Sequence, residues 1–143
     1  MSATLLYRIA AALLIFFAAG HTVGSLGFKP PTPEGMAVRE AMNSVQFGYK
    51  GALYTYGGFY KGFSLSITAY MLFSAYLAWY LGQAALRQPQ SIGSLAWAFA
   101  FLQLVGLALS IKYFFLPPAM LSGVVFICVA WAAWLARTGS PVT

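Results

Sequence analysis

Four stretches of nearly uninterrupted apolar residues, separated by polar or proline-containing connections, dominate the chain. They cover about residues 9–28, 62–82, 92–111 and 119–136. At about 1.5 Å of rise per helical residue, a stretch of about 20 residues spans about 30 Å, which is the thickness of the hydrocarbon core of a bilayer. The pattern therefore predicts four membrane-spanning helices.

The long connection between the first two spans has a different pattern. Thr32, Pro33 and Glu34 are typical of a helix start, with an N-cap threonine, proline at the first helical position and an acidic residue in the first turn. Apolar and polar residues then recur on separate helical faces, with Val38 and Met42 on one and Arg39 and Asn43 on another. We expect an amphipathic helix over about residues 33–47 that lies in the membrane interface or folds across the mouth of the bundle.

Glycines alternate with aromatic residues over about residues 48–62. Tyrosines concentrate where a membrane meets water, so this stretch marks a membrane boundary. The expected fold is therefore a single all-α domain, residues 1–143, in which an integral membrane four-helix bundle carries an additional amphipathic helix in its first loop.

The composition excludes a soluble globular protein, because 61% of the 143 residues are hydrophobic and only 7% are charged. The net charge of +6 comes from lysines and arginines that are scattered singly. Scattered cations are typical of interface anchors that contact membrane lipids, and they do not indicate nucleic acid binding. With one cysteine and one histidine, the chain offers no intrachain disulfide and no metal site with ordinary ligand numbers, and we expect no cofactor.

The single histidine, His21, lies within the first span, where ionisable groups are costly and tend to be functional. Lys61 begins the second span and Lys112 ends the third, so all three lie toward the side of the long loop. Gln103 lies near the middle of the third span and needs a polar partner there. The candidate ligand-binding residues are His21, Thr22, Ser25, Tyr60, Lys61, Ser64, Gln103 and Lys112.

A simpler interpretation of the same residues stays open. The two lysines can extend to lipid phosphates at the membrane surface, and His21 can bond a backbone carbonyl or a serine. The spacing supports no Ser-His-Asp or Cys-His pairing and no glycine-rich phosphate loop. Small four-helix antiporters carry a carboxylate in the first span, where this chain has His21, which argues against that class.

Three motifs resemble those of a family of small bacterial four-helix membrane proteins of unknown function. They are Gly20-His21-Thr22-Val23-Gly24, the stretch 42–47 and Phe59-Tyr60-Lys61-Gly62-Phe63. More loosely, the arrangement is similar to DoxX-like proteins. The resemblance covers about the first half of the chain and implies a multi-pass protein of the bacterial inner membrane, with weight on His21, Thr22 and Lys61 as a site. It implies no known activity.

Three functional hypotheses follow. The first is a non-catalytic protein that binds a lipid-like or other apolar small molecule between its helices. The second is a membrane enzyme that uses His21 as general acid or base on a lipophilic substrate. The third is a structural or assembly partner, or a homo-oligomer, that associates through the small-residue face of Gly20 and Gly24.

Overall fold

A computed structural model describes residues 1–88 and 92–138, and within them the chain is mostly helical, with one short β-hairpin and short connections between the elements. The elements are α1 (Ala3–Gly27), α2 (Pro33–Ser44), β1 (Gln46–Tyr49), β2 (Ala52–Thr55), α3 (Tyr56–Arg87), α4 (Gly93–Tyr113) and α5 (Leu116–Thr138). Four of the helices, α1, α3, α4 and α5, are long and apolar enough to cross a membrane. The predicted class is confirmed, and the chain is an all-α multi-pass membrane protein.

The membrane-length helices extend beyond the predicted spans. α1 begins at Ala3 instead of near residue 9, and α3 covers 32 residues, from Tyr56 to Arg87, instead of about residues 62–82. Hydropathy measures only the part of a helix that can lie in hydrocarbon, whereas backbone hydrogen bonding continues through the polar interface. The polar turn predicted after Arg87 includes residues 89–91, which lie outside the described residues.

The start of α2 agrees with the prediction, and its end does not. Thr32 is the N-cap, and its Oγ1 accepts a hydrogen bond from the Gly35 N–H at 3.1 Å. The helix ends at Ser44 instead of near residue 47, because Val45 adopts an extended backbone and the following residues pair as strands.

A β-hairpin occupies the stretch in which the sequence indicated only a membrane boundary. β1 and β2 are antiparallel, with Gln46 opposite Thr55 and Tyr49 opposite Ala52. The two-residue turn is formed by Lys50 and Gly51, whose φ angles of 49° and 83° are both positive. Positive φ at both central positions is typical of a type I′ turn, which matches the twist of paired strands. The usual Asn-Gly signal is absent here, which explains why the hairpin was missed.

The chain divides into two compact units. The core unit comprises Met1–Phe17 and Met71–Thr143, and the loop unit comprises Ala18–Tyr70. The core unit is a four-helix bundle, because its buried residues come from α1, α3, α4 and α5. Its fully buried side chains include many alanines: Ala10, Ala78, Ala96 and Ala132. Small side chains let helices approach closely, which is how helices associate in lipid.

Tyr7 is the largest side chain buried in the core unit, with none of its surface exposed. It packs beside Gly82, where an added Cβ would lie 3.2 Å from the Tyr7 Cβ and 3.5 Å from the Thr4 carbonyl oxygen. Within the described residues, the Tyr7 hydroxyl has no hydrogen-bond partner. A side chain at position 82 would therefore crowd the close approach of α1 and α3 in this unit.

Candidate functional site

His21 lies on the α1 face that packs against α3 within the loop unit. Its Nε2 is 3.2 Å from the Ser64 carbonyl oxygen and 3.3 Å from the Ser64 Oγ. Ser64 is 5% exposed, whereas the imidazole is half-buried. The simpler interpretation of His21, in which it bonds a backbone carbonyl or a serine, is confirmed in this geometry.

A second polar contact lies one turn farther along α3. The Thr22 and Thr68 hydroxyl oxygens are 2.8 Å apart. Thr22 Oγ1 also lies 2.8 Å from the Ala18 carbonyl, and Thr68 Oγ1 lies 3.3 Å from the Ser64 carbonyl. We call His21, Thr22, Ser64 and Thr68 the polar seam.

The protons of the threonine hydroxyls in the polar seam have two possible arrangements. Each threonine hydroxyl carries one proton. If Thr22 donates to Ala18, Thr68 donates to Thr22. If Thr22 donates to Thr68, Thr68 donates to the Ser64 carbonyl, which then shares its two lone pairs among that hydroxyl, the helical Thr68 N–H and the His21 N–H, so the first arrangement is the better one. In both arrangements the threonine hydroxyls are satisfied by the protein, whereas His21 has capacity for a further hydrogen bond.

That capacity is at Nδ1. The second ring nitrogen has no hydrogen-bond partner among residues 1–88 and 92–138. His21 lies within the apolar stretch of about residues 9–28, which is expected to cross the hydrocarbon core. A half-exposed imidazole nitrogen at that depth is costly to leave without a polar partner.

The other candidate residues of the loop unit do not take part in the hydrogen bonds between α1 and α3. The Ser25 hydroxyl donates to the Thr22 carbonyl of its own helix at 3.3 Å. Tyr60 is 62% exposed. Lys61 is exposed, lies one turn before Ser64 and makes no ion pair or hydrogen bond with any described residue. Lys61 is therefore available to a polar group near the end of the polar seam.

The remaining two candidates lie on α4, in the core unit. Gln103 is half-buried, and Lys112 is exposed, with its Nζ 5.2 Å from the centroid of the Tyr113 ring. Their participation in a site with His21 stays a prediction.

Sequence reasoning missed two features of the polar seam. Thr68, which pairs with Thr22, is not among the candidate residues. A bond from His21 to a serine was expected, but Ser64 was not singled out as that serine, because the contact joins two helices and depends on their rotation. A signal was present, since Lys61, Ser64, Thr68 and Met71 alternate spacings of four and three residues, the pattern of one helix face that packs on another.

A cluster of aromatic rings and an open groove lie on a different face of the first turns of α3. Phe47 of the hairpin packs on Tyr56 with ring centroids 5.0 Å apart, and Phe59 packs edge-on against Phe63 at 4.8 Å. Beside these rings an open groove of about 320 Å³ follows Gly58, Gly62 and Ser66. Because each helical residue turns about 100°, Gly62 and Ser64 point about 200° apart, so the groove is separate from the polar seam.

The face predicted for helix packing, Gly20 and Gly24, is open. A Cβ added at either glycine would meet no atom of the described structure within 4 Å. The residues of α1 that approach α3 in the loop unit are His21 and Thr22 instead. Association of copies through these glycines stays a prediction.

Comparison of the chain with protein-family models, curated proteins and solved structures finds no match. The resemblance to small bacterial four-helix proteins therefore stays a prediction, and any function must be argued from the polar seam itself.

Proposed function

We propose that this multi-pass membrane protein binds the polar end of a lipid-like small molecule at the polar seam, in a bacterial inner membrane. The observation that carries the proposal is the His21 ring. Its Nε2 is held by Ser64, while its Nδ1 has no partner in the described part of the chain.

The cost of an unpartnered polar group in lipid supports this function. Moving a polar group into an apolar environment without a hydrogen bond costs about 1–3 kcal/mol of free energy, as measured in protein variants. Hydrocarbon chains supply no donor or acceptor. A membrane-soluble molecule with one polar end would satisfy the nitrogen, and its apolar part would remain among the exposed aliphatic and aromatic side chains.

Lys61 supplies a second polar contact in this proposal. It lies about 4.5 Å along α3 from Ser64 toward the hairpin, and its flexible stem lets the ammonium reach the interface. A ligand with its polar end at His21 would thus extend past a cation that no described residue neutralises.

Native mass spectrometry of the detergent-purified protein tests the proposal. We expect bound mass in the wild-type chain and its loss in His21→Ala, with a smaller loss in Lys61→Ala. Ser110→Ala is the control for removing a buried polar group, because its hydroxyl is paired with Ser122 at 3.2 Å in the core unit. Lys50→Ala is the control for removing a lysine from the loop unit. A bound species retained in His21→Ala would contradict the proposal.

The Ser64–His21 contact supports a second candidate, an enzyme acting on a lipophilic substrate. A histidine beside a hydroxyl can act as its general base when the ring nitrogen that faces the hydroxyl, here Nε2, carries no proton. Hydrolysis of long-chain esters that is lost in both His21→Ala and Ser64→Ala, but retained in Ser66→Ala, would support this candidate. Ser66 is the matched control because its hydroxyl donates to the Gly62 carbonyl on the exposed face of α3. Absence of turnover in the wild-type protein would count against it.

A further inference from the structure

The contact between His21 and Ser64 favours one position for the ring proton. The Ser64 carbonyl oxygen, 3.2 Å from Nε2, can only accept a hydrogen bond. If Nε2 had no proton, its lone pair would face the lone pairs of that oxygen. With the proton on Nε2, the Ser64 hydroxyl at 3.3 Å accepts, and its own proton has no acceptor among the described residues. The carbonyl has no such choice of role, so it favours the neutral imidazole that is protonated at Nε2.

The same assignment fixes the chemistry of Nδ1. In a neutral imidazole one nitrogen is a donor and the other is an acceptor. With the proton on Nε2, Nδ1 presents a lone pair, and no described residue donates to it. The open position is therefore an acceptor, and it needs a donor from outside the described chain.

From this we infer that the ligand of the polar seam presents a hydroxyl donor to His21 Nδ1 and belongs to the class of membrane-soluble alcohols or phenols. The inference rests on the proposed binding function and deepens it. A carboxylate or an ether offers only acceptors, and their lone pairs would oppose that of Nδ1. A hydroxyl completes the pairing without requiring a charge in the membrane, which is the less costly solution.

Nitrogen NMR tests the inference directly, because the chain has one histidine and ¹⁵N-histidine labelling gives the signals of a single ring. The protein is reconstituted in lipid nanodiscs at mildly alkaline pH. We expect the spectrum of a neutral ring protonated at Nε2. A ring protonated at Nδ1, or a cationic ring, would overturn the inference.

Three probes of matched chain length then identify the ligand class: dodecanol, its methyl ether and dodecanoate. Dodecanol is expected to shift the Nδ1 signal, and the ether is expected to bind about tenfold more weakly, since one hydrogen bond in an apolar site is lost. A shift produced by dodecanoate and not by dodecanol would overturn the hydroxyl assignment and leave the proposed binding function standing. If all three probes leave the ring unchanged, both the inference and the proposed function are overturned.

Two substitutions of His21 test the roles of its two ring nitrogens separately. Asparagine can place a carbonyl oxygen near the position of Nδ1, whereas glutamine can place its amide near that of Nε2. Dodecanol binding, measured by native mass spectrometry, is expected to persist within about threefold in His21→Asn and to fall about tenfold in His21→Gln. The reverse order would overturn the inference. The thermal unfolding midpoint of each variant shows that it is folded.

Discussion

The core unit and the loop unit differ in how completely their polar side chains are paired by hydrogen bonds. In the core unit the helices pack through alanines and glycine, and the Ser110 and Ser122 hydroxyls pair with each other at 3.2 Å while buried. In the loop unit the polar groups also pair across helices, but His21 stays half-exposed and keeps one nitrogen without a partner in the described chain. The close packing through small residues and the ring nitrogen without a described partner thus lie on different parts of the same helices, α1 and α3.

The largest expected effect comes from placing a large side chain at Gly82, where α1 and α3 approach closely in the core unit. Gly82→Leu forces a side chain against Tyr7 and the Thr4 backbone, and we expect a loss of about 3 kcal/mol in the free energy of unfolding in micelles. Gly24→Leu is the matched control, because its side chain enters open space in the described structure. A monomeric protein should tolerate it.

The Gly24→Leu control also tests association. If copies of the chain pack through the Gly20 and Gly24 face, this variant should lower the subunit number seen by native mass spectrometry. A Gly24→Leu monomer as destabilised as Gly82→Leu would contradict the contrast between the two units.

Tyr7→Phe is expected to stabilise the protein by about 1 kcal/mol. The substitution removes a buried hydroxyl that has no hydrogen-bond partner among the described residues and keeps the ring. Tyr70→Phe, at a tyrosine that is 71% exposed, should change stability little. Chemical unfolding of both variants in the same micelles provides the measurement. Destabilisation by Tyr7→Phe would mean that its hydroxyl has a partner, such as a bound water.

A double-mutant cycle compares the two hydroxyl pairs. We expect Thr22→Val and Thr68→Val to show a coupling energy of about 0.6 kcal/mol, the average for hydrogen bonds between membrane helices. The Ser110→Ala and Ser122→Ala cycle should give a similar value, because both pairs join helices in lipid. A Thr22–Thr68 coupling of zero would show that the polar seam does not hold α1 and α3 together.

The smallest expected effect concerns the hairpin turn. Lys50 adopts a φ of 49°, which asparagine accepts more readily than lysine. Lys50→Asn should slow hydrogen exchange of the hairpin amides by roughly twofold, without changing the global unfolding midpoint. Gly51→Ala, at a φ of 83°, should accelerate the same exchange. Equal exchange in all three proteins would contradict the turn type.

Three of the four residues of the polar seam were among the predicted candidates, and a bond from His21 to a carbonyl or a serine was expected, but the particular partners were not. Sequence reasoning selected His21 because ionisable groups in apolar spans are costly, the resemblance gave weight to Thr22, and Ser64 was among the polar candidates of the second span. It missed Thr68 as a partner, since choosing among the several hydroxyls of the second span requires the rotation of α3 about its axis. It also favoured Gly20 and Gly24 as the packing face, because small residues allow close approach whether or not a helix uses it.

The sequence by itself determined that the protein is all-α and multi-pass, because only helices satisfy their backbone hydrogen bonds along apolar stretches of this length. It also determined the start of α2, through the local chemistry of Thr32 and Pro33. Only the tertiary structure decided that Ser64 faces His21, that Thr68 pairs with Thr22 and that the Gly20 face stays open. Those contacts depend on how each helix is rotated about its axis and how closely it approaches its neighbour. Rotation and approach result from packing along the whole helix, so no single residue predicts them.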